Sequence, residues 1–510
     1  MKALLVVIDA ASPRVVCPAI QTGRLPTLQR LALAGAMHDA SVTIFPSITP
    51  AATTSIITGA YPNEHGIIGA SWFDETRNEV AYYGDDFWVV ARKGFGAFVR
   101  DFLLRLNGDR LKSPTMFELV EGVGRKAASV NYLVFRGRDR HKVTVPWTLA
   151  AFPGVPFTET VHGPTMLCLG DFVSPSVPTR GRKLKGKHGL RHRFGMDDRS
   201  SGAFLCDLMA ARATPDLTVA YFADNDYRSH EVGPHNALGT VERVDAMLGD
   251  AFEAGGGLDR VLQDTFVLVT SDHGHCEVLA DRQRAGVPLN KVLEEFRQAT
   301  LGGRWRDRDE IMICPNMRAA QIYVREPTPV RVHRLIDALA CEPRIDQIIW
   351  RSGLTRGEPD GCAVASPRGK LQFRRVSENG HTLRDAFGGH WDCRGNLEAL
   401  GLELDGRDAE SRDYPNPLER IAGALFGRQA GEVWVTAVPG CEFEAPGDSF
   451  HPGGGSHGAL HALDSLSPVI AAGPVGPPVL PRAMRSLDVA PLCMRALDVP
   501  IRYQPGAPRT

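Results

Sequence analysis

Short uninterrupted apolar runs alternate with amphipathic stretches along most of this chain. Ala3–Ile8, Thr218–Phe222 and Thr265–Thr270 are continuous rather than alternating, the pattern of strands buried on both faces of a parallel sheet. Between them the apolar positions recur at helical spacing. Leu25, Leu28, Leu31 and Leu33 predict a helix over Pro26–Ala34, and Val241, Val244, Met247, Leu248 and Phe252 place one stripe on a helix over Gly239–Phe252. Helices are also expected at Thr49–Thr58, Pro114–Gly122, Ser201–Ala213 and Leu487–Leu497, with further strands at Ala127–Phe135, Glu432–Ala437 and Ser467–Ala472. This is an α/β pattern: a mainly parallel sheet sandwiched by helices.

The rhythm changes twice. Residues 136–200 are rich in Pro, Gly and basic side chains and read as a loop-rich insertion, including the basic run Arg180–Lys187, a solvated loop that could also hold an anion. Residues 280–430 read as a smaller α+β cap insertion, with strands at Ala320–Val324, Ile345–Ile349 and Lys370–Arg375 and a helix at Val330–Leu339. The expected organisation is a core over 1–279, the cap over 280–430, and a return to the core over 431–510.

Composition narrows the setting. The chain has 510 residues, 43% hydrophobic and 23% charged, and a net charge of −1. That leaves no broad basic field for a nucleic-acid polymer or an anionic membrane, so a phosphate group must be attracted locally. No window approaches the roughly 20 apolar residues of a membrane span. The apolar run at the N-terminus ends in Asp9 and reads as a first buried strand, not a signal peptide. Ten dispersed cysteines with no CxxC pair fit a reduced, cytoplasmic protein.

Candidate chemistry sits where strands end, the edge at which open α/β sheets bind ligands. Asp9 ends the first strand, Asp226 and His230 follow the strand at 218–222 one helical turn apart, and Ser271-Asp272-His273-Gly274 follows the strand at 265–270. Adjacent carboxylate and imidazole groups suit zinc or a similar divalent ion. His457 lies in the glycine-rich Gly454-Gly455-Ser456-His457-Gly458. Thr49 precedes Pro50 as a helix N-cap, which places its hydroxyl at an anion-favouring helix end. On the residues alone Asp224, His235, His451 and His461 compete as ligands, and Ser47 and Thr53 as hydroxyls.

The ordered set Asp9, Thr49-x9-Gly59, Asp226-x3-His230, Ser271-Asp272-His273-Gly274 and Gly455-x-His457-Gly458 resembles the alkaline phosphatase superfamily, and within it the type I phosphodiesterase/nucleotide pyrophosphatase family. Thr58–Ile67 is similar to that family's segment after the nucleophile helix, and Tyr221-x4-Asp226-x3-His230-x2-Gly233-Pro234 to its second metal motif, which favours Asp226 and His230 over their neighbours. Asp488-Val489-Ala490-Pro491 resembles the start of the superfamily's final helix. The resemblance implies two divalent ions, zinc by expectation, with manganese or iron fitting the same ligands. It assigns one to Asp9, Asp272, His273 and the Thr49 oxygen, and the other to Asp226, His230 and His457. Thr49 becomes the nucleophile, a phospho-threonine the intermediate, and a small phosphodiester or pyrophosphate the substrate. A phosphomonoesterase, a phosphonate hydrolase, a phosphomutase and a non-catalytic binding protein are the alternatives on this core. In the nucleotide pyrophosphatase branch an asparagine follows the His-Gly segment and contacts phosphate; here Ala70 stands in that place.

Overall fold

The structure, a computed structural model, describes residues 1–84, 95–144, 159–174, 194–355, 360–378, 381–444, 449–474 and 480–501. The basic run at 180–187 lies outside them.

The core sheet has seven strands in the order Ala36–Val42, Leu466–Ala472, Thr265–Thr270, Lys2–Ile8, Leu217–Phe222, Ala127–Val130, Met166–Cys168. Its central pairings are parallel, Leu5 opposite both Leu268 and Val219, and Leu466–Ala472 runs against the strands on either side. The continuous apolar runs have the expected cause. Leu5, Val7, Val219, Tyr221 and Leu268 point into one buried cluster with the helices Thr49–Thr58, Met116–Gly122 and Val489–Ala496. Leu4, Val6, Ala220, Phe222 and Val267 point into the other, against Pro13–Gln21, Pro26–Ala34, Asp198–Ala210 and Leu238–Ala254. Each face is covered, so nearly every position on these strands is apolar. The helix at Met116–Gly122 begins with a full capping box, Thr115 accepting from the Glu118 amide and Glu118 from the Thr115 amide.

A second sheet of ten strands runs from Ile311–Asn316 to Glu403–Asp405 in spatial order, largely antiparallel, with the helix Pro329–Ala340 against one apolar cluster and Pro417–Leu425 in another. One expectation fails here. Val433–Ala437 does not return to the core sheet; it pairs with Ala319–Val324 and Ile345–Arg351 in the second sheet. It is buried along its whole length, and an apolar run of that kind does not reveal which sheet it fills. Residues 136–200 carry more structure than a loop reading allows: Asp139–Val143 and Glu159–Gly163 pair antiparallel, and Met166–Cys168 pairs with Ala127–Val130 at one edge of the core sheet.

Candidate functional site

The central strands deliver their chemistry at one edge. Asp9 immediately follows Lys2–Ile8, and its amide donates to the Phe222 carbonyl at 2.9 Å. Asp226 and His230 lie in the helix Asp224–Val232, one turn apart, so both face the same side. Asp272 and His273 directly follow Thr265–Thr270. His457 arrives from far along the sequence on a short ladder that pairs Cys276 with Ser456 and Glu277 with Gly455. Two glycines make this approach possible through close contact. A Cβ on Gly454 would lie 1.8 Å from the His230 carbonyl, and one on Gly274 would lie 2.4 Å from the Leu463 carbonyl. The φ of Gly274 is ordinary for any residue, and the space it vacates is what the fold uses.

All seven predicted residues converge. His273 Nε2 lies 3.6 Å from both Asp9 Oδ1 and Asp272 Oδ2, and 3.0 Å from Thr49 Oγ1. The His273 and His457 rings stack at 3.7 Å. Asp226 Oδ2 is 3.4 Å from His230 Nε2, and Asp226 Oδ1 is 3.6 Å from His457 Nε2. Asp9, Asp226, Asp272, His273 and His457 are buried, whereas Thr49 is partly open to solvent at the rim. Thr49 is the first residue of its helix rather than the cap, which is Ile48; Pro50 follows within the first turn as expected.

The hydrogen bonds sort the donors. His230 Nδ1 faces the Gly455 carbonyl at 2.9 Å, His273 Nδ1 the Gly274 carbonyl at 2.9 Å, and His457 Nδ1 the Ser47 carbonyl at 2.7 Å. Each imidazole therefore carries its proton on Nδ1 and turns the Nε2 lone pair into the cluster, the arrangement of a metal-ligating histidine. Asp272 Oδ1 accepts from the Ala10 and His273 amides, leaving Oδ2. Tyr221 donates to Asp9 Oδ2, leaving Oδ1. Asp9 Oδ1, Asp272 Oδ2, His230 Nε2 and His457 Nε2 are buried without a hydrogen-bond partner. Carboxylate oxygens and imidazole nitrogens aimed at one another across 3.4–3.6 Å are the spacing that ligands around one divalent ion adopt, since donors about 2.0–2.2 Å from a tetrahedral ion are about 3.4 Å apart. The residues present thus fit divalent cations. Two overlapping groups could each hold one: Asp226, His230, His275 and His457, and Asp9, Asp226 and His273.

The electrostatics agree. Burial, then the Asp272 and Asp226 carboxylates, push Asp9 well above the usual carboxylate range, and burial raises Asp272. Burial would also raise Asp226, but the facing His230, together with His275 and His457, outweighs it and holds Asp226 well below. Burial lowers His230; the charge and hydrogen bond of Asp226, with Glu442 and the Gly455 carbonyl, together reverse this and carry it up to about 9. Burial, then His273, pushes His457 well below its ordinary value. Three carboxylates in one dry pocket oppose one another's ionisation, and cations resolve that conflict.

His275 is the residue that sequence reasoning missed. Its Nε2 lies 3.0 Å from Asp226 Oδ1, and its Nδ1 is buried without a partner. No carbonyl holds a proton on Nδ1, so the proton belongs on Nε2 and is donated to Asp226. We therefore read it as the support of a ligand rather than a fourth ligand. The available signal was its place two residues after His273 in the same turn. The competing candidates are engaged elsewhere. Asp224 bonds with the Asp198 segment, and the exposed His235 pairs with Glu277. His461 caps the turn at Ala462–Ser465, and His451 packs 4.2 Å from the His230 ring while its Nδ1 meets Glu442. Ser47 Oγ donates to the Ala459 carbonyl, and Thr53 Oγ1 to the Thr49 carbonyl.

Human ectonucleotide pyrophosphatase/phosphodiesterase 5 is similar in structure, at 15% identity and a TM-score of 0.58, over 99% of this chain and 97% of that one. The murine protein, as an inactive threonine-to-alanine variant in complex with AMP, gives 14% and 0.57 over 98% and 96%. Phosphonoacetate hydrolase from Sinorhizobium meliloti, in complex with phosphonoformate, gives 17% and 0.54 over 98% and 96%. At these identities the likeness establishes the fold. A search of curated proteins by sequence gives no match. The family profile described as Type I phosphodiesterase / nucleotide pyrophosphatase matches residues 3–351, well over half of the chain. The chain belongs to the type I phosphodiesterase/nucleotide pyrophosphatase family and is a hydrolase of that family.

Proposed function

We propose that this protein cleaves a small phosphodiester or pyrophosphate substrate through a phospho-threonine at Thr49, beside two divalent ions, zinc by donor chemistry. One observation carries the reading: Thr49 Oγ1 stands at the partly open rim, 3.0 Å from His273 Nε2, above a buried cluster whose unpartnered atoms belong to the ligand candidates. Asp9, Asp272, His273 and Thr49 would hold one ion, and Asp226, His230 and His457 the other, with His275 donating to Asp226. When bound, such a pair supplies Lewis acidity that activates the threonine hydroxyl and neutralises charge on the attacking and leaving oxygens.

The chain's own part follows from its geometry. The first turn of Thr49–Thr58 points its positive end and free amides at the transferred group. Thr49 Oγ1 attacks phosphorus as the bond to the leaving oxygen breaks in line. Water then attacks the phosphorus of the phospho-threonine, which still carries the substrate's other ester group; the Oγ1–P bond breaks, and the phosphomonoester departs with the threonine restored. The inactive threonine-to-alanine variant of the murine protein, in complex with AMP, supports a threonine in this role and a nucleotide-sized phosphate ester as ligand. A cytoplasmic setting belongs to the same reading, supported by ten free thiols.

The test is an acid quench during turnover of bis-p-nitrophenyl phosphate, followed by mass spectrometry of the peptide containing Thr49. A p-nitrophenyl phosphoryl group on Thr49, absent in Thr49→Ala, is expected. Turnover without that adduct under single-turnover conditions overturns the nucleophile. Faster hydrolysis of p-nitrophenyl phosphate or phosphonoacetate than of the diester replaces the substrate class with the monoesterase or phosphonate hydrolase alternative.

A further inference from the structure

Tyr221 lies on the face of the Leu217–Phe222 strand that packs against the nucleophile helix, and it is buried. The other residues of the strand on that face, Leu217 and Val219, are apolar. A phenol there requires a partner, and its hydroxyl donates to Asp9 Oδ2. The ring meets Tyr132 edge-on at 5.7 Å, and Tyr132 in turn donates to the Thr53 carbonyl at 2.7 Å. Thr53 Oγ1 reaches back to the Thr49 carbonyl at 2.6 Å. The two tyrosines thus form a strut between the Asp9 carboxylate and the helix that carries Thr49.

The consequence lies in how Asp9 can bind. Asp272 has one oxygen occupied by two backbone amides and one oxygen free. Asp9 reaches the same state by a different route: Oδ2 is occupied by the Tyr221 hydroxyl, and Oδ1 is free, 3.6 Å from His273 Nε2. If each carboxylate gives one oxygen, Asp9, Asp272 and His273 fill three positions of a four-coordinate ion, and the fourth is open to Thr49. A carboxylate that chelated through both oxygens would take that fourth position. We infer that Tyr221 is a positioning residue that restricts Asp9 to a single coordinating oxygen and so keeps the place of the Thr49 oxygen vacant. This rests on the two-metal reading above.

The test is Tyr221→Phe in the full chain, which removes one oxygen and keeps the ring, with Tyr132→Phe as the comparison that cuts only the tether to the helix. Metal-free protein is titrated with Co(II), reading visible absorption and the affinity of each equivalent, and thermal melting of the metal-free protein is recorded alongside. For Tyr221→Phe the expected result is a change in the Co(II) spectrum of one equivalent and a 10–100-fold shift in its affinity, the usual scale for losing a ligand's outer partner. The second equivalent is expected to be unchanged, and Tyr132→Phe is expected to keep the wild-type spectrum. Wild-type affinity and spectrum for both equivalents in Tyr221→Phe overturn the inference and leave the two-metal reading standing. So does equal weakening of both equivalents together with a lowered metal-free melting temperature, which marks a merely structural role. Wild-type protein that takes up fewer than two Co(II) ions overturns the two-metal reading, and the inference with it.

Discussion

Arg318 and Asp464 form an ion pair with no exposed surface at either side chain, directly behind the site. Arg318 also donates to the Cys441 and Ala437 carbonyls, each at 3.0 Å, and Asp464 accepts from the Ala459 amide at 3.3 Å. The backbones of the same two residues hold the site loops: the Arg318 amide donates to the His457 carbonyl at 2.9 Å and the Gly274 amide to the Asp464 carbonyl at 2.8 Å. Arg318→Met removes one charge and strands the other in a dry environment. Breaking such a pair costs about 3–5 kcal/mol. The two orphaned carbonyls push toward the upper end, since each carries a penalty of about 1–3 kcal/mol that is only partly additive. A loss of about 5 kcal/mol is therefore expected, a third or more of the stability of a typical folded protein. The double variant Arg318→Met/Asp464→Leu removes both charges and should recover about half of that loss or more, because the desolvated carboxylate is gone. The assay is urea unfolding of all three proteins, comparing midpoints at unchanged slope, with metal content measured before unfolding. A single variant within about 1 kcal/mol of wild type, or a double variant no more stable than the single, would falsify the account of the pair as a buried, mutually dependent unit.

Four further outcomes are expected. Thr49→Ala should lower turnover by at least about 10³-fold, about 4 kcal/mol of transition-state stabilisation, while Thr49→Ser keeps a measurable share; near wild-type rates for the alanine variant reject Thr49 as nucleophile. His457→Ala should lose mainly one of two bound ions by elemental analysis, because His457 Nε2 faces Asp226 while Asp9, Asp272 and His273 remain grouped without it; loss of both ions or of neither contradicts the division. Metal affinity should rise steeply between pH 6 and about 9, because His230, carried up to about 9 by Asp226, must give up its proton to bind; a flat affinity across that window excludes His230 as a ligand. In the metal-free protein the same raised value gives the opposite sign: the His230 contribution to stability is full below its ordinary value near 6.5 and is lost as pH rises through about 9. Chelated protein should therefore lose denaturation midpoint from this group on going from pH 6.5 to 9.5, and a rise over that interval refutes the assignment.

The sequence exposed the core strands because both faces of the sheet are covered, so Ala3–Ile8, Val219–Phe222 and Phe266–Val269 are apolar without interruption. Polar residues just after those runs are then conspicuous, and Asp9, Asp272 and His273 were legible for that reason, whereas Asp226 was told from Asp224 by the family resemblance. The edge strands were not. Ala36–Val42 is half exposed along most of its length and Met166–Cys168 is too short to form a pattern. Val433–Ala437 was legible as a strand but not by sheet, since burial on both faces looks alike in either. His275 was hidden for a different reason: its importance depends on Asp226, 49 residues away in sequence, and no local spacing encodes that contact. Tyr221 was visible as a member of an apolar run and as the first residue of the second metal motif, with no role of its own.

The charged residues that support the site were the least legible of all, and they change what the second sheet does. Arg318 reads in sequence as an ordinary surface residue, yet its partner Asp464 lies 146 positions away and both are fully buried. Asn316, at the end of a second-sheet strand, accepts from the Ala70 and Ser71 amides at 2.7 and 3.2 Å, in the segment where the family resemblance implied an asparagine on phosphate. The Asn316 amide nitrogen is spent on the Ser71 and Cys314 carbonyls, so this side chain braces the loop and is not free to replace the missing donor. Glu442 accepts from Ser456, the residue before His457, and meets His451 where it packs on His230. The residues at 280–430 were expected as a cap insertion. Their polar contacts run into the backs of the loops that carry His457 and Ala70, which makes the second sheet a brace on which the geometry of the core's strand-end cluster depends. A protein cut to the core alone would keep Asp9, Asp226, Asp272 and His273 on their strands and lose the support that brings His457 to them.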